Sequence, residues 1–501
     1  MGTNGLTENL DIDAIVSQVV ARLAPHMAQP GVEQALSKSA QGARRIEGLA
    51  PASVSVPPII LGDGVFATTD DAVKAATAAQ AELSTRSMDD REKIVSAIKR
   101  LCEERADEFA RLEFAETKIG RLDHKVEKLK LVRRVLGTEA LKTEARGDST
   151  GVDLVGAAPW GVIGMVTPAT HSVPTLAGNA INIIAAGNSA VFSPHPAASR
   201  CFAHALKAFN REILRETGIR NLLGMVQEPT IASAEELFNH QGVSLICVTG
   251  GPFVVKAAMK SGKRVIAAGP GNPPVVVDAT ADMDKAARDI IAGASFDNNL
   301  LCIGEKEVFV VKEAYESFRS AMKKAGAVEL NSAEIAKLTA AALTVDPKHS
   351  SHIFAKREFV GADAKLLAAA AGITVPEGTD LLFGETDEKH PFVVAEQMMP
   401  FIPVVRANCT DEAIEMAVRA EHGFRHTAII HSNDLKVVTK MARRMNTTLF
   451  IQNASCAAAL GLGGPGYLSY SIATPTGEGV TTPLTFTRQR QLVLGETLNY
   501  L

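Results

Sequence analysis

Pro159-Trp-Gly-Val-Ile-Gly-Met-Val-Thr-Pro168 reads as a buried strand that ends in a turn. Behind it come the turn Ala169-Thr-His-Ser-Val-Pro-Thr175, an apolar helix over 176–186, and a second strand, Asn188-Ser-Ala-Val-Phe-Ser193, closed by Pro194-His195-Pro196. The alternation continues through strands at 222–226 and 244–249 and helices at 233–239 and 253–259. Strands this short and apolar need cover on both faces, and the intervening helices supply it. The repeated units predict a doubly wound parallel sheet in an α/β fold. Gly250-Gly251 stands between one strand and the helix near Phe253. Glycines there let a helix N-terminus approach a phosphate through bare N–H groups, although an ordinary strand–helix turn uses the same residues.

Upstream, helical patterns cover 70–83, 89–117 and 122–136, and the first two open on acidic clusters suited to helix N-termini. Residues 140–155 read as a protruding strand pair. At the start of the chain, Ile12, Ile15, Val16, Val19, Val20 and Leu23 form one narrow apolar stripe on a short helix that Pro25 stops. Residues 25–58 are rich in Ala, Ser, Gly, Gln and Pro and read as a linker. A short amphipathic helix on a tether buries little alone, so an external partner is favoured over docking on its own domain.

Downstream, a second α/β unit runs from Val275 to about Leu460, with strands at 308–311, near Val404 and at 427–430. Within it, the polar loop Asp297-Asn298-Asn299 delivers Cys302, and Gly304 leaves room for a ligand. A thiol on such a loop is a candidate nucleophile or, like most free cysteines, a small buried hydrophobe. The other five cysteines fall in helix-, strand- or core-like runs. Phe486–Leu494 alternates like an edge strand able to pair with another subunit.

A chain of 501 residues with 46% hydrophobic and 22% charged residues has material for two large aliphatic domains or more. Net charge is −4 with no basic, aromatic-interleaved stripe, which argues against nucleic-acid binding. Six scattered cysteines without C-x-x-C spacing argue against a metal site or disulfide framework and fit a reducing cytoplasm. No apolar run reaches membrane-spanning length, so a soluble intracellular protein is expected.

Gly161-Val-Ile-Gly-Met-Val-Thr-Pro168, Ala185-Ala-Gly-Asn-Ser189 with Phe192-Ser-Pro-His-Pro196, Val248-Thr-Gly-Gly251, the Cys302 loop, Glu396-Gln-Met-Met-Pro400 and Thr474-Pro-Thr-Gly-Glu-Gly479 occur in that order. From about residue 62 onward the chain thereby resembles the aldehyde dehydrogenase superfamily, and most closely its coenzyme A-acylating branch. The similarity is greatest to the propanal and acetaldehyde dehydrogenases of bacterial microcompartments. The resemblance implies a Rossmann-like NAD-binding domain over 59–273 with oligomerisation strands at 140–158. It implies a catalytic domain over 274–465, a C-terminal return with an oligomerisation strand over 466–501, and a homo-oligomer, dimer or tetramer. Residues 1–24 would be an encapsulation helix addressing the enzyme to a microcompartment shell protein through residues 10–23.

The same resemblance makes Cys302 the nucleophile toward a small aldehyde. The oxyanion would be held by the Cys302 N–H and by a side chain of the Thr167–His171 turn, Thr170 or His171. Acylating relatives often carry Asn where this chain has His171, and a structural turn histidine is the alternative reading there. The cofactor-binding set implied is Thr167, Pro168, Ser193, Pro194, His195, Pro196, Thr249, Gly250, Gly251, Gly269 and Glu396. Gly250-Gly251 would meet the pyrophosphate, residues 193–196 the adenosine, and Glu396 the nicotinamide ribose. Hydrolytic relatives carry a glutamate where this chain has Ala267, in Ala267-Ala-Gly-Pro-Gly-Asn-Pro273. Water is a far weaker acid than a thiol, by roughly seven pKa units, and needs such a base far more. Its absence points to coenzyme A as acyl acceptor and to CoA-acylating oxidation of a short aldehyde, propanal ahead of acetaldehyde, with NAD as hydride acceptor. A hydrolytic dehydrogenase and a non-catalytic cargo protein are the rivals.

Overall fold

The computed structural model describes residues 54–346 and 349–495, and residues 51–501 form one compact unit. The expected amphipathic helix at 10–23 and nearly all of the linker lie outside the described residues. Four helices open the described chain: α1 (Thr69–Ser84), α2 (Met88–Glu104), α3 (Ala106–Thr117) and α4 (Leu122–Leu131). The hydroxyls of Thr68 and Ser87 accept the N–H groups of Asp71 and Asp90, capping α1 and α2. The segment 89–117, expected as one helix, is two. Arg105 leaves the helical region at φ −107° and ψ 20°, and its guanidinium turns back onto Glu108.

Six parallel strands follow in the spatial order Val65–Phe66, Leu223–Val226, Ser189–Pro194, Val162–Thr167, Val243–Thr249, Arg264–Ala268. The helices α5 (Ser172–Ala185), α6 (Ser199–Thr217), α7 (Ile231–Asn239) and α8 (Pro252–Met259) connect them. Every residue of α5 is buried, as its apolar composition requires. Strand order reverses beside Val162–Thr167, which places a crevice at the carboxyl ends of this sheet.

The second sheet is also fully parallel and has seven strands. They run in the order Val328–Glu329, Leu382–Thr386, Phe401–Ala407, Glu307–Val311, Pro274–Val277, Thr427–His431, Leu449–Gln452. Helix α9 (Met283–Ala294), capped by Asp282, leads from the strand Pro274–Val277 to the Cys302 loop. The strands Glu144–Asp148 and Gly151–Pro159 form the expected antiparallel pair. The C-terminal strand Thr487–Gly495 spends one edge on Gly151–Pro159 of its own chain, and its residues are mostly exposed instead of alternating in burial. The edge expected to be able to pair with another subunit is therefore its outer one. Leu492 and Val493 on that strand are exposed.

Candidate active site

The connection Gly269–Pro273 carries the chain from the last strand of the first sheet to the strand Pro274–Val277 of the second. Cys302 lies between helix α9 and the strand Glu307–Val311. It lines a narrow cleft, about 10 Å³ in volume, together with His171, Leu301, Ile303, Leu460, Ser469, Tyr470 and Ile472. Most of these walls are apolar, so the space suits a small uncharged molecule with an aliphatic end.

The loop that delivers the thiol differs from its sequence reading. Asp297, Asn298 and Asn299 are all buried rather than solvated, and each has a left-handed backbone, with φ of 49°, 55° and 65°. Asn and Asp tolerate this region better than other side chains. The amide of Asn298 donates to Gly361 O and Asp363 Oδ1, and that of Asn299 donates to Ala294 O and Glu305 O. Lys306, also fully buried, donates from Nζ to Asn299 O at 2.8 Å and Leu301 O at 3.2 Å. Gly304 leaves room for the loop itself and not for a ligand. A Cβ there would stand 3.2 Å from Leu301 O.

Cys302 is partly exposed as a residue, yet its thiol is strongly perturbed. Burial, reinforced by the Glu396 carboxylate, pushes it up to about 12, while Lys306 and the N–H groups of Cys302 and Ile303 pull the other way. At pH 7 such a thiol is ionised to roughly one part in 10⁵. Alkylation of Cys302 by iodoacetamide in the unliganded protein is therefore expected to be slow at pH 7. It should rise about tenfold per pH unit up to pH 10. Glu396→Gln should accelerate it by removing the opposing charge, and peptide mass spectrometry reads the site. A rate already level above pH 8 would contradict the assignment.

Glu396 is itself pushed upward by burial, with Lys306 and the Gly271 N–H opposing. The structure thus brings Glu396 to the thiol, closer to the chemistry than its expected ribose contact alone implies. Gly271 marks a crowded point. A Cβ there would stand 2.6 Å from Cys302 O and 2.9 Å from Cγ of His426. His426 was not among the residues expected in the site. It is fully buried, its Nδ1 lies 2.8 Å from Thr427 Oγ1, and its Nε2 has no partner. Burial, aided by Lys306, lowers it to about 4, so it is neutral. The tautomer with Nδ1 donating to Thr427 leaves a bare lone pair on Nε2. Only the histidine's alternation between Arg425 and Thr427 was visible in sequence, and many core histidines share it.

His171 sits in the cavity wall at the N-terminus of α5, its ring 5.4 Å from that of Tyr470, and its Nδ1 has no partner. Burial first, then Lys128 and Lys125, hold it well below its ordinary value, so it too is neutral. Thr170 is not part of the cavity wall. Its carbonyl accepts from Lys125 and Lys128 at 3.4 Å each.

The expected cofactor residues gather at the carboxyl ends of the first sheet. The His195 N–H donates to Thr167 O, and the Gly250 N–H donates to Ala268 O. Gly251 caps α8, and a side chain built there would meet open space. Thr167 Oγ1 is buried without a partner. Ser193 and Pro194 are buried at the strand end, whereas His195 and Pro196 are exposed. The Thr249 hydroxyl is paired with Ser471 Oγ at 2.7 Å, and a Cβ on Gly269 would press on Pro475. Pro168 is partly exposed beside them. All six cysteines are free, and Cys102, Cys201, Cys247 and Cys456 are buried. Cys409, expected in a core-like run, is exposed just before a helix.

Residues 62–465 match the aldehyde dehydrogenase family. The chain is 44% identical over 434 residues to an acetylating acetaldehyde dehydrogenase, EutE, of Salmonella typhimurium, covering 86% of this chain and 92% of that protein. A Rhodopseudomonas palustris propionaldehyde dehydrogenase solved with bound CoA and an acylated cysteine superposes with TM-score 0.85 at 39% identity, covering 88% of this chain and 100% of that one. A propionaldehyde dehydrogenase from the Clostridium phytofermentans fucose utilisation microcompartment gives 0.84 at 41%, covering 87% and 99%. A parallel two-sheet architecture, a loop-borne cysteine over an apolar cavity and this likeness along most of its length agree: the chain belongs to the aldehyde dehydrogenase family, among relatives that are its CoA-acylating members.

Proposed function

We propose that this protein oxidises a short aliphatic aldehyde to its acyl-CoA, with NAD as hydride acceptor. The observation that carries the reading is the convergence of Cys302 and the neutral His426 on Gly271, while position 267 carries only a methyl group. The Cys302 thiol loses its proton to solvent, the resulting thiolate sulfur bonds to the aldehyde carbon, and the carbonyl oxygen becomes an alkoxide held by the Cys302 N–H and the neutral His171 ring. Bound NAD would supply the hydride acceptor, and loss of hydride from the alkoxide carbon would leave a thioester on Cys302. His426 Nε2 then takes the proton of the CoA thiol, whose sulfur displaces Cys302.

The carboxyl ends of the first sheet fit the cofactor. The unpartnered hydroxyl of Thr167, the open flank of Gly251 and the exposed N-terminus of α8 offer donors for a diphosphate. Thr167, Pro168, Ser193–Pro196, Thr249–Gly251 and Gly269 would hold NAD there, with Glu396 reaching the nicotinamide ribose. The apolar walls Leu301, Ile303, Leu460 and Ile472 support propanal as substrate. The 44% identity to an acetaldehyde enzyme favours acetaldehyde as the second reading. Purified protein given CoA, NAD and each aldehyde should yield the matching acyl-CoA by mass spectrometry, with the higher kcat/KM marking the substrate. Formation of free acid alone would reject the proposal.

We also place the enzyme inside a microcompartment as a homo-oligomer, by residues 10–23 on a shell protein and by the outer edge of Thr487–Gly495 between subunits. Six apolar side chains worth about 1.5–3 kcal/mol each when buried can hold a helix in a groove after ordering costs. Deleting residues 1–24 is expected to leave kcat and every KM unchanged and to abolish co-purification with shells. Val16→Glu should do most of that alone. Loss of activity on truncation would instead make the segment part of the enzyme body.

A further inference from the structure

Among the fully buried charged residues that the mechanism leaves unused, four form one network: Glu113 on α3, Lys125 and Lys128 on α4, and Asp297 in the Cys302 loop. Lys125 Nζ lies 2.8 Å from Glu113 Oε1 and 3.8 Å from Asp297 Oδ2, and Lys128 Nζ pairs with Asp297 Oδ2. Both ammonium groups also reach Thr170 O, at 3.4 Å each. Glu113 Oε2 accepts the Val173 N–H at 2.9 Å, in the first turn of α5. The same face of α4 holds Asp297 again. The Arg121 N–H donates to its Oδ1 at 2.7 Å, and His124 Nδ1 accepts its N–H at 2.8 Å. Residues 121, 124, 125 and 128 are spaced i, i+3, i+4 and i+7, one stripe of a helix.

This stripe therefore grips both halves of the site, the loop that carries Cys302 and the turn that carries His171. Tyr470, a cavity wall whose ring lies tilted beside that of His171, donates to the carbonyl of Lys128 at 2.9 Å and closes the circuit. Stability alone does not account for the arrangement, because an apolar set of the same volume serves a core as well or better than buried ions. Geometry does. Three consecutive left-handed residues persist only where their surroundings over-determine them. A peptide whose carbonyl is held on one edge has its N–H fixed on the other. Thr170 O is held by two lysines, so the His171 N–H is fixed on the opposite edge.

We propose that Lys128 and Asp297, with Lys125 and Glu113, are positioning residues that set the distance between Cys302 and the His171 turn. They act on acylation of the thiol and not on cofactor binding. The inference rests on the acylating reading above.

Asp297→Asn is the test, since it is nearly isosteric and asparagine tolerates the left-handed backbone. The neutral pair Lys128→Met with Asp297→Asn is the second variant. In the proposal, both variants keep the wild-type dissociation constant for NADH, read by fluorescence. Both slow the pre-steady-state burst of NADH from propanal at least tenfold, and the double variant recovers thermal stability without recovering the burst. A wild-type burst rate in either folded variant overturns the proposal. So does a parallel loss of NADH binding, or failure of Asp297→Asn to fold, since either makes the network part of the scaffold. An inactive wild type would sink the acylating reading itself, a distinct result.

Discussion

Cys302→Ala is expected to abolish aldehyde-dependent NADH formation, by about 10⁴-fold or more, as removal of a covalent nucleophile does. The substitution removes one sulfur from a partly buried residue packed against the core and leaves the backbone of the loop held by Lys306 and the asparagine contacts. Thermal stability should therefore change little. NADH should bind as before, because the carboxyl ends of the first sheet are untouched. No other cysteine can replace it. Burial pushes the thiols of Cys102, Cys201, Cys247 and Cys456 well above their ordinary range, and none lines the cavity. Cys409 is exposed at a helix start and is likewise absent from the cavity wall. Activity above a trace in Cys302→Ala, with aldehyde, NAD and CoA all present, would remove the thioester from the mechanism. Incubation of wild type with aldehyde and NAD should add one acyl mass to the Cys302 peptide, and the variant should gain none.

The parallel sheets were legible because their strands are buried on both faces and read as short continuous apolar runs, as at 162–167 and 274–277. Helix starts were legible where an acid or hydroxyl caps them, as Asp282 does for α9. The break at Arg105 was not, because nothing in 89–117 interrupts the apolar period and the turn is set by tertiary contacts with Glu108 and His204. Cys302 was found through its loop motif. His426 and the Lys125–Lys128 stripe were missed for one physical reason. Each looks like a solvated or incidental polar residue until the fold buries it against a partner distant in sequence, 176 positions away for Arg121 and Asp297. The polar reading of 297–299 failed the same way, since hydrogen bonds that satisfy buried asparagines come from segments the local sequence does not contain.

Without CoA, wild-type protein should release about one equivalent of NADH per active site and then nearly stop; with CoA, turnover should be continuous. Two features of the site lead there. First, Ala267 is fully buried in an apolar cluster with Val248, Ala258 and Val265, and its N–H is spent on Thr476 Oγ1 at 2.9 Å. No carboxylate at that position can activate water. Ala267→Glu is accordingly expected to destabilise the protein by several kcal/mol, as burying an unpaired acid does, and not to create a hydrolase. Second, His426 remains neutral throughout the physiological range, with burial and Lys306 holding it near 4, so it can accept a proton from a thiol near neutrality. Removing it separates the two half-reactions. His426→Ala should keep the burst amplitude in the absence of CoA and lower the CoA-dependent steady rate by about 10²-fold or more, the usual worth of a placed general base. The variant's rate should recover in part as pH rises, since the CoA thiol then ionises unaided at about 8.5. Rapid CoA-independent turnover by wild type would overturn the acylating assignment, and an unaltered steady rate in His426→Ala would return that histidine to the core.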